Sequence, residues 1–218
     1  MTQPLRGELV ATARRMSELG LCPGTSGNAS ARTPDGFLVT PSGMPYDQLS
    51  GDDLVAIDLD GTIHPGQRAP STEWRLHRDL YAARPEAHAV VHTHSLYATS
   101  VACLRRAIPA VHYMIILAGS DQIPCADYAT YGTAELAASV VRALGPGRAC
   151  LMANHGMVAL GDALPAALRL ATEIETLASL YWHAAQLGAP HVLTADELDR
   201  VRRQYAGYGQ PDPARRPR

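Results

Sequence analysis

Two histidines, His92 and His94, sit in the run Val-Val-His-Thr-His. Residues i and i+2 of a strand point to one face, so two imidazoles at this spacing can grip one divalent ion. Two satisfied, partly buried histidines would give the same pattern. A third candidate, His155, lies in Ala-Asn-His-Gly-Met between apolar segments, where a ring without a partner is costly to bury. Three histidines leave a coordination position open, as catalytic zinc requires and closed structural zinc does not.

The segment Pro70-Ser71-Thr72-Glu73-Trp74 reads as a helix start, with a hydroxyl cap and an acid in the first turn. A helix start also offers free N–H groups to an anion, and a carboxylate there can serve as general base or metal ligand. Gly24-Thr25-Ser26-Gly27-Asn28 and Thr40-Pro41-Ser42-Gly43 are further loops rich in glycine and hydroxyls. Neither continues into Gly-Lys-Thr or Gly-Lys-Ser, so neither is a Walker loop. Converging, the three segments would hold a phosphate through neutral donors.

All 19 basic residues are arginine. The missing lysine excludes a Schiff base or a P-loop lysine. Chemistry that forms an enolate would then have no lysine for an iminium, and a metal would have to polarise the carbonyl as a Lewis acid. A net charge of -2 with scattered arginines gives no basic stripe, so nucleic acid is not an expected partner. Cys22, Cys103, Cys125 and Cys150 form no close pair and read as reduced core residues. No signal peptide and no membrane span are legible, which leads us to expect a soluble, cytoplasmic protein.

These residues need elements to position them. With 218 residues, 46% hydrophobic and 18% charged, the chain is the size of one domain, able to bury roughly 70% of its unfolded surface. Leu5, Leu9, Ala13 and Met16 recur at helical spacing before Gly20. Short strands follow at 28–32, 37–40 and 54–58, separated by Pro-Asp-Gly and Pro-Ser-Gly turns. A helix is expected from Ser71-Thr72 to about Arg84, a strand over 87–93 and a helix over 94–104. Residues 110–116 read as a strand, 132–144 as a helix, and 150–160 as two strand pieces around Asn-His-Gly. Leu168, Ala171, Ile174, Ala178 and Tyr181 mark a long helix with one apolar face, and 195–205 a last one. This order predicts a single layered α/β domain over 1–209, its central sheet mixed but mostly antiparallel and flanked by helices. The polar, proline-rich end, 210–218, reads as a mobile tail.

Gly-Thr-Ser-Gly-Asn, Thr-Pro-Ser-Gly-Met-Pro-Tyr, Ser-Thr-Glu-Trp-Arg-Leu-His, Val-Val-His-Thr-His, Ile-Pro-Ala-Val-His-Tyr-Met-Ile and Asn-His-Gly follow one another along nearly the whole chain. In that order they resemble the class II aldolase/adducin family. The Ile-Pro-Cys-Ala-Asp-Tyr-Ala-Thr stretch at 123–130 brings the likeness closest to its L-fuculose-1-phosphate aldolase branch. The resemblance implies one zinc ion per subunit on His92, His94 and His155, with Glu73 as a fourth ligand able to move off and act as base. It implies that Thr25, Gly27, Asn28, Ser42, Gly43, Ser71 and Thr72 cradle a substrate phosphate. Tyr113, from a neighbouring subunit, would handle the proton on the aldehyde oxygen, and Tyr208 would help close the site. Tyr131 stands where that branch has phenylalanine and would touch the aldehyde pocket; Thr72 stands where it has serine.

The implied activity is reversible, zinc-dependent cleavage of a ketose 1-phosphate into dihydroxyacetone phosphate and a small aldehyde such as lactaldehyde. Pentulose-5-phosphate 4-epimerases of the family differ by aspartates at the positions of Glu73 and Tyr113. Methylthioribulose-phosphate dehydratases and oxotetronate-phosphate decarboxylases share the histidines, and adducin-like domains keep the fold as interaction modules. The resemblance also implies a homotetramer with sites at subunit boundaries. The stripe from Leu168 to Tyr181 points the same way, if it is exposed as subunit contact.

Overall fold

The computed structural model describes residues 2–208; the expected tail, 210–218, lies outside the described residues. The first helix is α1 (Thr2–Glu18), followed by β1 (Asn28–Arg32), β2 (Gly36–Val39) and β3 (Val55–Asp58). Next come α2 (Trp74–Ala83), β4 (Ala89–Thr93), α3 (Leu96–Cys103), β5 (Cys125–Ala126) and α4 (Ala134–Leu144). The hairpin β6 (Ala149–Met152) and β7 (Gly156–Gly161) leads into α5 (Leu164–Leu187) and α6 (Ala195–Tyr205). The strands form one sheet in the order β3-β2-β1-β4-β7-β6-β5, antiparallel throughout except for the β5–β6 pair.

Both faces of the sheet are covered, which is why its central strands are apolar at nearly every position. Side chains alternate between two cores. Ala89 and Val91 of β4, Met157 and Ala159 of β7, and Ala29 and Ala31 of β1 pack with residues of α1, α3 and α5. Val90, Val158, Leu160 and Cys150 face the other way, into Leu76, Leu80 and Tyr81 of α2 and Leu136 and Val140 of α4. The result is the expected layered α/β domain with a mixed, mostly antiparallel sheet.

Four local expectations are corrected. Residues 110–116 are not a strand: Tyr113–Ala118 form a 3-10 helix, begun by the His112 ring accepting from the Met114 N–H and ended by Gly119 at φ 71. Pro109 removes a ladder donor, and an apolar run this short fits a buried turn as readily as a strand. The middle of the α5 stripe is core rather than subunit contact: Ala171, Ile174 and Ala178 are buried in the chain's own core, Leu168 and Tyr181 are half-buried, and the exposed large apolar residues of that helix are Leu180, Trp182 and Leu187. Helix α2 begins at Trp74 with Glu73 as its N-cap, and the Glu73 side chain makes no capping bond. The acid thus stands before the first turn rather than within it. Finally, Cys22 and Cys150 are buried, but Cys125 is half-buried and Cys103 exposed, so they are not all core residues.

Candidate functional site

His92 is on the α2 side of the sheet, like Val90, and His94 continues that parity just past the end of β4. The β6–β7 turn carries His155, with Asn154 at φ 54. Gly156 follows because nothing larger fits: a Cβ there would stand 2.3 Å from the Thr93 carbonyl oxygen and 3.3 Å from His92 Cε1. Glu73 reaches the same point from the start of α2. The His92 Nε2 to Glu73 Oε2 distance is 3.0 Å, His155 Nε2 to Glu73 Oε1 is 3.3 Å, and His92 Nε2 to His94 Nε2 is 3.0 Å. One ligand atom from each of the four residues lies within 4.8 Å of the others.

This donor set fits a divalent ion. The Met157 carbonyl lies 2.9 Å from His92 Nδ1, so it takes the Nδ1 proton and turns the Nε2 lone pair inward. Glu73 Oε1 is buried and makes no hydrogen bond among the described residues. Lone pairs crowded around a buried carboxylate repel one another unless a cation sits among them. Burial first, then the neighbouring His92 charge, pushes His94 down to about 3 and His155 down to about 4, so both rings are neutral, the form in which an imidazole can ligate a metal. For Glu73 burial acts upward, but His92, His155 and the Asn28 amide outweigh it and hold the carboxyl well below the usual range. His92 moves upward: burial opposes the charge, and the Glu73 carboxylate overcomes it. Proton and metal compete for that electron pair.

Glu73, His94 and His155 of the cluster line a cavity of about 350 Å³, together with Thr25, Gly27, Asn28, Ser42, Gly43, Ser71, Thr72 and Tyr131. The three loops do converge. Loops 40–43 and 69–72 are stitched together by the Ser42 N–H donating to Ala69 O and the Ser71 N–H to Thr40 O, both at 3.0 Å. These two serines therefore offer hydroxyls rather than amides. Gly27 stands at φ 76, and a Cβ there would lie 2.8 Å from the His92 carbonyl oxygen; the Tyr46 hydroxyl donates to its carbonyl at 2.8 Å. Asn28 is committed elsewhere than its loop: Nδ2 donates to Glu73 Oε2 at 3.1 Å.

Tyr113 and Tyr208 are not in this cavity. Both are exposed, 46% and 79%, and they line a separate groove of about 410 Å³ with Met114, Val201, Gln204 and Tyr205. Three residues were given no site role from the sequence, although each stands in a motif that carries the resemblance. Asn154 and Tyr128 line the cavity, and His77 is buried behind it against Asn28. His77 also had a spacing signal: it follows Glu73 by four residues, one turn along the same helix face.

Comparison with known proteins agrees with this geometry. The family described as Class II Aldolase and Adducin N-terminal domain matches residues 7–182. A 5-methylthioribulose-1-phosphate/5-deoxyribulose-1-phosphate aldolase of Rhodospirillum rubrum is 48% identical, over 94% of this chain and 92% of its own. The L-fuculose phosphate aldolase of Escherichia coli K12 is 44% identical, over 94% and 95%. A solved L-fuculose 1-phosphate aldolase structure superposes with a TM-score of 0.90 at 36% identity, covering 94% of this chain and 97% of that one. Sequence, fold and the clustered histidines thus agree, and the chain belongs to the class II aldolase and adducin family.

Proposed function

We propose that this protein is a zinc-dependent aldolase that cleaves a ketose 1-phosphate reversibly into dihydroxyacetone phosphate and a short aldehyde. The observation that carries the reading is the convergence of three imidazoles and one ionised carboxylate beneath a cavity lined with neutral hydrogen-bond donors. Three imidazoles and a carboxylate are a zinc-type donor set, and a bound ion would supply the Lewis acid for the substrate carbonyl. Thr25, Gly27, Ser42, Gly43, Ser71 and Thr72 hold the phosphate, placing the neighbouring carbons over Glu73.

In the synthetic direction Glu73 removes a proton from the hydroxymethyl carbon of dihydroxyacetone phosphate, and that carbon bonds to the aldehyde carbon. Tyr113 of the partner subunit donates a proton to the aldehyde oxygen. Both groups reset by exchange with solvent. Cleavage runs the same steps backwards. The exposed Tyr113 and Tyr208, standing apart from the histidines, support a homotetramer in which each boundary completes a site. Tyr131 lines the same cavity, and its hydroxyl would touch the aldehyde. The free cysteines support a reducing, cytoplasmic setting. Among the described residues no helix is long and apolar enough to cross a membrane.

The relatives' names differ in their sugars, L-fuculose in one and 5-methylthioribulose or 5-deoxyribulose in another. A ketose phosphate is common to these names. Purified protein is offered L-fuculose 1-phosphate, 5-deoxyribulose 1-phosphate and 5-methylthioribulose 1-phosphate, and dihydroxyacetone phosphate is measured. Its release from at least one supports the reading; release from none refutes it.

A further inference from the structure

Behind the cavity a chain of polar groups runs from Glu73 into the protein interior. Asn28 Nδ2 lies 3.1 Å from Glu73 Oε2, and Asn28 Oδ1 lies 2.5 Å from His77 Nε2. His77 Nδ1 is 2.6 Å from Ser30 Oγ, which is 2.8 Å from the Tyr81 hydroxyl. Asn28, Ser30, His77 and Tyr81 are all buried, His77 completely. The ladder arises from matched periods. Glu73, His77 and Tyr81 are spaced by four along the helical segment, a rise of about 6 Å per step, while Asn28 and Ser30 are spaced by two along β1, about 6.6 Å.

The direction of every bond is set by the carboxylate. Asn28 presents its amide nitrogen to the carboxylate oxygen Glu73 Oε2, which can only accept; a flipped amide would face oxygen to oxygen. Asn28 Oδ1 therefore faces His77, so His77 carries its proton on Nε2. Its bare Nδ1 then accepts from the Ser30 hydroxyl, whose oxygen accepts from Tyr81. Burial keeps the His77 ring neutral, as this pattern requires. One Glu73 oxygen, Oε2, is thereby held, and Oε1 is the oxygen without a hydrogen bond.

We infer that His77 is a positioning residue: through Asn28 it fixes the Glu73 carboxylate so that Oε1 alone is the reactive oxygen. This deepens the aldolase reading and rests on it for the chemistry at Oε1. The His77 tautomer does not depend on that reading.

The first test is nitrogen NMR of the His77 ring in the unmutated protein near neutral pH. A protonated Nε2 with a bare Nδ1 is expected; the opposite tautomer, or a cationic ring, overturns the inference. The second compares two variants that each keep one of the ring's contacts. His77→Gln restores a donor near the Nε2 position, and His77→Asn restores only an acceptor near Nδ1. Both should hold the metal and melt at similar temperatures. His77→Asn should lose about a hundredfold in kcat with KM little changed, the scale expected for a misplaced reacting group, while His77→Gln stays within about tenfold of the parent. Equal losses, or losses that follow melting temperature alone, overturn the positioning role. An unmutated protein inactive on every ketose phosphate would instead refute the aldolase reading, and the tautomer would still decide whether His77 orients Asn28.

Discussion

The main-chain carbonyl of Met157 stands 2.9 Å from His92 Nδ1. Because Thr93 and Met157 are register partners across β4 and β7, the sheet itself chooses which nitrogen of His92 faces Glu73. The inward direction of the His92 Nε2 lone pair is therefore built into strand pairing. Purified protein should carry about one divalent ion per chain by elemental analysis, and His94→Asn or His155→Asn should bind it at least about tenfold more weakly. Undiminished metal content in both variants would mean that the ion sits elsewhere.

Glu73→Gln separates chemistry from helix initiation. The Glu73 side chain makes no capping bond to α2, so the substitution should leave the melting temperature nearly unchanged. Metal should remain largely bound, and turnover should fall by at least about a hundredfold, the usual effect of losing a positioned base. A variant that melts early yet turns over normally would place the base elsewhere.

Tyr113 lies in a groove that shares no lining residue with the histidine cavity. Inactive Glu73→Gln subunits mixed with inactive Tyr113→Phe subunits should therefore regain part of the activity, since some boundaries pair an intact base with an intact tyrosine. Verified subunit exchange without recovery, or a fully active monomer in sedimentation, would show that each chain completes its own site.

The His77 ring is pushed down from 6.5 to about 3, by burial first and then by the His92 charge. Between these values the unfolded chain binds a proton that the folded chain refuses. This contribution to stability is complete above the unfolded value and is lost as pH falls through the folded one, with a limiting slope of about 1.4 kcal/mol per pH unit. Glutamine binds no such proton. The gap in melting temperature between the parent and His77→Gln should narrow from about pH 7.5 to about pH 5, and a constant gap would mean that His77 is not buried as a neutral ring.

The histidine cluster was legible because its signals are local. His92 and His94 share a strand face by period alone, and His155 follows an apolar strand that makes a solitary polar ring costly. The loops of Gly27, Ser42 and Ser71 were legible as turns, but the two N–H bonds that stitch 40–43 to 69–72 join residues far apart in sequence. His77 was missed for the same reason: its partners are on β1, and only the register of α2 over that strand brings them together. The α5 stripe misled because an apolar helix face does not say which surface covers it. Residues 110–116 misled because an apolar run of that length suits a strand and a buried 3-10 turn equally.

On the proposed function, Glu73 moves a proton at carbon with the help of a bound divalent ion. Dihydroxyacetone phosphate incubated alone with the protein in deuterated water tests it without knowledge of the aldehyde. Proton NMR should show the protein-dependent loss of one hydrogen from the hydroxymethyl carbon, abolished by chelation, restored by zinc and absent in Glu73→Gln. No exchange with the metal-loaded parent protein, or exchange at full rate after chelation or in Glu73→Gln, would contradict the account.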